Sequence, residues 1–378
     1  MRSSANWLPS VKVTLAAVVL ALVVGAFLIV VSDRRVIESA SYFFTYPWDF
    51  FRFAGQAIGQ SYWALLTGAV GSGAAISQTL ERAAPLICAG LGVSLAFRAG
   101  LFNIGAQGQL IIGAVCAGYV GFTFALPTGL HLVVALAAGV AGGALWGAVA
   151  GLLKAQSGAH EVITTIMLNY VAASTLLFLL TKDAFQRKGS NNPRSDPVDQ
   201  TAVFPNILGF HSGVFVAIAV AFAVWWLLER STLGFEMRAV GANADAARTA
   251  GMSVAKVYTL TMLLAGGLAG LAAVQQILGH QDSLTANVAG SLGFDAITVA
   301  LLGRATPLGT VLAGLLFGAL ASGGVQMQAS EASTPLALTQ VLQALIVLFV
   351  AAPALVRGVL RLRDTGDGAS VLAKGWGS

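Results

Sequence analysis

The chain is 378 residues long, 57% hydrophobic and only 10% charged, with 44 glycines and a mean hydropathy of +0.80. Soluble domains carry about 25% charged residues, and glycine is enriched where transmembrane helices pack closely, so this composition excludes an ordinary soluble enzyme and reads as a polytopic membrane protein. The net charge of +5 and the pI near 9.4 follow from which loops face the cytoplasm, as argued below, and do not imply nucleic acid as a partner.

Apolar runs of the length needed to cross a bilayer, about 20 residues, lie near 12 to 32, 76 to 97, 101 to 124, 130 to 153, 161 to 181, 211 to 228, 256 to 278, 289 to 303, 306 to 327 and 336 to 356. They predict an all-α chain with ten spans. The first run follows Arg2 and Lys12. It exceeds the apolar core of a secretory signal, about 7 to 15 residues, and no small-residue cleavage site follows it, so it reads as a retained span. The eighth run is short, and the second contains Glu81-Arg82 and Pro85 near its start.

Segment 33 to 75 is rich in aromatic residues, among them Tyr42, Phe43, Phe44, Tyr46, Trp48, Phe50, Phe51, Tyr62 and Trp63. Amphipathic rings settle at headgroup depth, which predicts a helix along the outer membrane surface. Segment 182 to 210, with Asn191-Asn192-Pro193 and Asp196-Pro197, reads as an external loop. A cytoplasmic N-terminus puts 13 of the 21 cationic residues inside: Arg2, Lys12, Arg98, Lys154, Arg230, Arg238, Arg248, Lys256, Arg304, Arg357, Arg361, Arg363 and Lys374. Most outer cations sit in the two long segments, which the positive-inside rule discounts, so both termini are expected in the cytoplasm.

Polar residues interrupt the apolar runs at three places. The third run opens Arg98-Ala99-Gly100-Leu101-Phe102-Asn103-Ile104-Gly105-Ala106-Gln107-Gly108-Gln109. As a continuous helix it would put Asn103 and Gln107 on one face; as a broken helix its freed backbone groups would line a cavity; the glycines also fit plain close packing. In the fifth run Glu161, Thr164, Thr165 and Asn169 recur every three or four residues on one face. Such a stripe marks a substrate pathway. Two local alternatives stay open: Glu161 as an acid stabilised by the helix dipole, and Asn169 as an interhelical hydrogen-bonding residue. Asp295 is a further acid at membrane depth, and Gln340 with Gln343 marks the tenth run.

Between the sixth and seventh runs, residues 229 to 252 combine charge with small side chains. Asn243 is placed to cap a two-turn helix, Asp245 falls in its first turn, Arg248 near its end, and Gly251 suits a left-handed stop. Ala246 with Ala250, and Ala244 with Ala247, give low-profile faces that suit either docking into a groove or an ordinary helical loop. Cys88 and Cys116 lie in apolar runs and read as packing residues. His131, His160, His211 and His280 are scattered, and His160-Glu161 lacks the second histidine of a zinc-protease helix, so no metal is expected.

The run Phe97 to Gln109, the stretch Glu161-Val162-Ile163-Thr164-Thr165-Ile166-Met167-Leu168-Asn169-Tyr170, the Gly241 to Gly251 loop, Gly293-Phe294-Asp295 and Ala300-Leu301-Leu302-Gly303-Arg304 together resemble the membrane subunits of nucleoside and simple-sugar ABC importers, within the ribose and branched-chain amino acid permease superfamily. The resemblance covers about Phe51 to Val356, and departs at Gln107, where the family more often has Glu. It implies a type II importer permease fold with inverted repeats, spans two to five against seven to ten, in a single permease domain over 1 to 378. It also implies a bacterial inner-membrane location and three partners: cytoplasmic ABC ATPases, a second and different permease, and an extracytoplasmic binding protein. The substrate pathway would then involve Asn103, Gln107, Gln109, Glu161, Thr164, Thr165, Asn169 and Asp295, and ATPase coupling would fall to Glu236, Arg238, Gly241, Asn243, Asp245, Ala246, Ala247, Arg248 and Gly251. The chain has no G-x-x-x-x-G-K-[ST] loop, so ATP-Mg would sit on the partners and this chain would carry no cofactor and no catalytic residue. A nucleoside substrate is the first expectation and a ribose-like sugar the second. An ion-coupled carrier using Glu161 and Asp295 is the rival class, and a membrane hydrolase finds no nucleophile elbow.

Overall fold

A computed structural model describes residues 7–189, 192–207, 209–330, 335–351 and 358. Arg2, Asn191, Arg357, Arg361, Arg363, Lys374 and the end of the tenth run lie outside the described residues. The chain divides into two compact units, one formed by Met1–Gly71 with Leu320–Ser378, the other by Ser72–Ala319.

In the first unit, helix α1 (Trp7–Ser32) ends at Asp33, whose carboxylate accepts hydrogen bonds from the backbone N–H of Arg35 at 2.9 Å and Val36 at 3.2 Å and so caps α2 (Arg34–Ala40). The chain bends by 71° between them. An aromatic turn follows, with Phe43 edge-on to Phe44, Phe50 and Phe51 at 5.5–6.0 Å between centroids, before Pro47 starts α3 (Pro47–Val70). Phe44, Tyr46, Trp48, Phe51 and Trp63 are all exposed. The opposite side of α3 buries small residues, Ala54, Ala57, Ser61 and Ala64. Tyr62 donates to the Leu22 carbonyl of α1 at 2.5 Å, and Ser322 donates to the Gly68 carbonyl at 3.0 Å.

The second unit is built around α4 (Gly73–Arg98), started by the Ser72 hydroxyl accepting from Ala75 N–H at 3.1 Å and buried continuously from Ala83 to Ala96. Around it stand α5 (Ala106–Thr123), α6 (Leu130–Ser157), α7 (Glu161–Leu179), α8 (Gly213–Arg230), the short α9 (Thr232–Ala242) and α10 (Ala244–Thr249), then α11 (Val254–Gln275), which runs into a π-helix (Gln276–Gln281), and α12 (Leu292–Leu302). Helix α13 (Pro307–Ala329) begins here, and α14 (Leu336–Ala351) belongs to the first unit. The closest pair is α6 against α11. A Cβ on Gly143 would stand 2.4 Å from the Gly266 carbonyl oxygen, and one on Gly270 2.3 Å from that of Gly139, so the four-residue glycine spacing lets two backbones touch.

Among the described residues six helices are long and apolar enough to cross a membrane: α4, α6, α7, α8, α11 with its π-helix, and α13. The chain is therefore an all-α multi-pass membrane protein. Outside the helices the described residues form one hairpin of two-residue strands, Asn206–Ile207 with Phe210–His211. The eighth apolar run is an 11-residue helix, α12, and segment 33 to 75 is two helices joined by the aromatic turn.

Candidate functional site: a broken helix, a coupling segment and a buried outer cluster

The third apolar run is not helical from its start. Residues Leu101 to Gly105 are extended or turned and α5 begins at Ala106, so Asn103 precedes the helix and does not share a face with Gln107. The freed backbone groups have named partners. Asn103 Oδ1 accepts from Gly105 N–H at 2.9 Å, and its amide exchanges hydrogen bonds with Gln109 at 3.1 and 3.2 Å. Asn169, on α7, accepts from Gly108 N–H at 2.8 Å through Oδ1 and donates from Nδ2 to the Ile104 carbonyl at 3.0 Å. Gln107 reaches α12, donating to the Gly290 carbonyl at 2.8 Å and accepting from Gly293 N–H at 2.9 Å. In a medium without water every such group needs an internal partner. These amides supply them, and Asn103, Gln109 and Asn169 are buried in doing so.

The remaining stripe residues divide. The Thr165 hydroxyl returns to the Val162 carbonyl at 3.1 Å and that of Thr164 to His160 at 3.1 Å. Glu161 pairs with Lys154 across the α6–α7 turn at 2.8 Å, with both side chains largely shielded. Asp295 sits in the first turn of α12, where the helix dipole favours an acid, and accepts from the Ser291 hydroxyl at 2.7 Å. Beyond its stripe, α7 leaves Ile163, Met167, Tyr170, Val171 and Phe178 exposed. Tyr170, Val171, Ser174, Thr175 and Phe178 line a shallow hollow of about 400 Å³ on that face.

The segment between α8 and α11 folds as two helices. In α10, Asn243 Oδ1 accepts from Ala246 N–H at 2.9 Å, Arg248 pairs with Asp245 at 3.1 Å, and Gly251 has φ of 87°. Ala246 and Ala250 are exposed, but Ala247 is only 5% exposed and packs into the core, so it gives no face to a partner. Helix α9 holds Glu236 and Arg238, both half-buried, and has Gly241 in its last turn. A Cβ at Gly241 would lie 2.2 Å from the Arg98 carbonyl oxygen, and Arg98 Nε donates to the Ala305 carbonyl at 2.8 Å. The α9 end, the α4 end and the turn after α12 thus meet at one joint, directly before the broken start of α5.

A second polar region lies at the other end of α4 and α11. The loop that follows α7 is strapped to the π-helix and the chain after it: Ser195 N–H to Leu284 carbonyl at 2.9 Å, Leu284 N–H to Ser195 hydroxyl at 2.8 Å, Val198 N–H to Asp282 carbonyl at 2.6 Å and Phe204 N–H to Leu278 carbonyl at 3.1 Å. Asp199 accepts from both the backbone N–H and the hydroxyl of Thr201, each at 2.8 Å, and these bonds hold its carboxyl below the usual range. Beneath the strap, His211, Ser212 and Gln275 are buried and His280 pairs with Glu81 at 3.3 Å. Burial pushes the His211 imidazole below its ordinary range, the nearby His280 pushes it the same way, and Glu81 opposes them. Sequence reading did not single out Ser212, Gln275 or Gln281; the signal was there in the polar run Gln275-Gln276 and Gly279-His280-Gln281-Asp282 closing an apolar segment.

Glycine-packed spans, a broken helix stitched by amides and a short capped helix between two spans make up a polytopic membrane protein. Residues 75–351 match the family described as the permease component of branched-chain amino acid transport systems, and the chain belongs to that family. It is 36% identical over 363 residues to the guanosine ABC transporter permease protein NupP of Bacillus subtilis, covering 94% of this chain and 97% of that protein. It is 37% identical to the glucose ABC transporter permease protein TsgB13 of Haloferax volcanii, over 73% of this chain and 75% of that one. With the nucleoside ABC transporter permease protein NupB of Lactococcus lactis it shares 33% identity over 76% and 82% of the two chains. No solved structure matches the chain.

Proposed function

We propose that this chain is the larger permease of an ATP-driven, binding-protein-dependent importer of nucleosides in a bacterial inner membrane. The observation that carries the reading is likeness to a guanosine permease along nearly the whole of both chains. A simple-sugar importer is the second reading, supported by the glucose permease of similar identity over a shorter stretch. An ion-coupled carrier finds less support, because Glu161 is already paired with Lys154.

The pore pairs this chain with a second, different permease. NupP has a counterpart in its own organism, the guanosine permease NupQ, which is also similar to this chain, at 28% identity over 64% of it. Ten spans with cytoplasmic termini suit the charge distribution, the family likeness implies inverted halves, and segment 33 to 75 then lies at the outer interface with 229 to 252 as the coupling loop of a single permease domain. ATP-Mg is hydrolysed on separate subunits. Helix α10 is the element that meets them, through the exposed Ala246, Arg248 and Ala250, with Asn243, Asp245 and Gly251 shaping it and Glu236, Arg238 and Gly241 tying it to the pore. Asn103, Gln109 and Asn169 hold the broken helix that flanks the pathway, and Gln107, Thr164, Thr165, Glu161 and Asp295 stand beside it.

The test is uptake of labelled guanosine, uridine and ribose by cells expressing the whole transport system with and without this chain. Nucleoside uptake that needs both this chain and an active ATPase is expected. Ribose uptake alone moves the chain to the sugar branch, and uptake that ignores the ATPase overturns the importer reading.

A further inference from the structure

Three side chains at the outer end of α11 hold polar atoms that are buried and unpaired. Gln275 donates from Nε2 to the Gly213 carbonyl at 3.2 Å and toward Cys88 Sγ at 3.5 Å, which leaves its Oε1 as a free acceptor. His211 Nδ1 accepts from Gly213 N–H at 3.3 Å, which puts the ring proton on Nε2, a donor without a partner. The Ser212 hydroxyl makes no bond. Gln275, His211 and Ser212 are 3%, 7% and 8% exposed and cluster beside Gly213, where a Cβ would lie 2.9 Å from His211 Nδ1 and 3.6 Å from Gln275 Cδ, while His211 Nε2 turns toward Gly279, where a Cβ would lie 2.6 Å from it. Each group left unpaired away from water destabilises this state. Three together, next to a π-helix, are the kind of feature found where a partner arrives during function.

The unpaired atoms restrict the chemistry of that partner. It must accept from the histidine donor and donate to the glutamine acceptor, while serine does either. A carboxylate only accepts and an ammonium only donates, whereas hydroxyls do both. The nearby charges do not call for an ion, since Glu81 and His280 already face each other at 3.3 Å. Phe204, with its ring centroid 5.3 Å from that of His211, adds an apolar wall. The π-helix borders the cluster, and its hydrogen-bond register is one residue wider than that of an α-helix, a feature frequent at functional sites.

We propose that His211, Ser212 and Gln275 form a contact site for the sugar hydroxyls of the transported solute, engaged on the outer side before the pore turns inward. The proposal deepens the importer reading and rests on it. The experiment uses the complete importer, with its paired permease, ATPase and binding protein, and measures ATP-driven uptake of guanosine and 2′-deoxyguanosine. Ser212→Ala removes a hydroxyl that holds nothing in place here, and Gln275→Met keeps side-chain length. Each should lower guanosine uptake about fivefold and 2′-deoxyguanosine uptake by less than about twofold, the scale of one lost hydrogen bond. The binding protein is the same throughout, so a change in the ratio belongs to the permease. Equal losses for both solutes at normal membrane levels, or an unchanged ratio, overturn the proposal. If the parental importer carries neither nucleoside, it is the nucleoside assignment that fails, and the same ratio is then read with ribose against 2-deoxyribose.

Discussion

Asn169 shows how a polar side chain at membrane depth can belong to the fold first. Both ends of its amide are used, one by Gly108 N–H and the other by the Ile104 carbonyl, at the point where α5 has no helical partner to offer them. Replacing Asn169 with Leu leaves both backbone groups unpaired in an apolar setting, at about 1–3 kcal/mol each. Purified in detergent, Asn169→Leu should therefore melt several degrees below the parent, and its uptake should fall in step with the amount of folded protein. Full thermal stability with lost uptake would instead make Asn169 a pathway residue. The sequence made Asn169, Asn103, Gln107 and Gln109 conspicuous, because an amide in an apolar run must have a reason. Asn103 and Gln109 bond each other within the segment, but the partners of Asn169 and Gln107 were not legible, because they come from distant parts of the chain. Gln107 meets Gly290 and Gly293, 183 and 186 residues away.

At the level of elements, local signals were read well and long-range ones were not. The cap at Asn243, Asp245 in the first turn, Arg248 in the last and the left-handed Gly251 all lie within one short stretch and occur as the sequence predicts, and the structure adds the Asp245–Arg248 pair. Which alanine faces outward depends on what α10 packs against, and there the sequence was silent. Ala247 turns into the core while Ala246 and Ala250 are exposed. The break before α5 was legible as one of several readings, since glycines and amides alternate there, but neither the separate α9 nor the π-helix was. The two alanines now separate docking from folding. Ala247→Glu buries a charge and should lower the yield of folded chain severalfold, whereas Ala246→Glu should leave yield unchanged and weaken copurification of the ATPase. Normal ATPase recovery with Ala246→Glu, at several ionic strengths, would remove α10 from the docking surface.

For the whole molecule, the decisive question is which side of the membrane each polar region occupies. The strapped loop after α7 and the α9–α10 segment are separated by one span, α8, so they face opposite sides whichever way the chain is threaded. On the proposed topology, in which the short-loop cations put α10 in the cytoplasm, the His211 cluster lies toward the outer side and the joint of Gly241 with the Arg98 carbonyl toward the inner one. A cysteine-labelling experiment reads this directly. The native Cys88 is fully buried and Cys116 is partly so, and Cys88→Ala with Cys116→Ala gives a silent background. On that background Asp196→Cys should react with a membrane-impermeant maleimide in intact cells, and Ala246→Cys only after the membrane is opened. The reverse pattern would place α10 outside, beyond reach of any cytoplasmic ATPase, and would remove both the coupling role of α9 and α10 and the outward-facing sugar site in a single measurement.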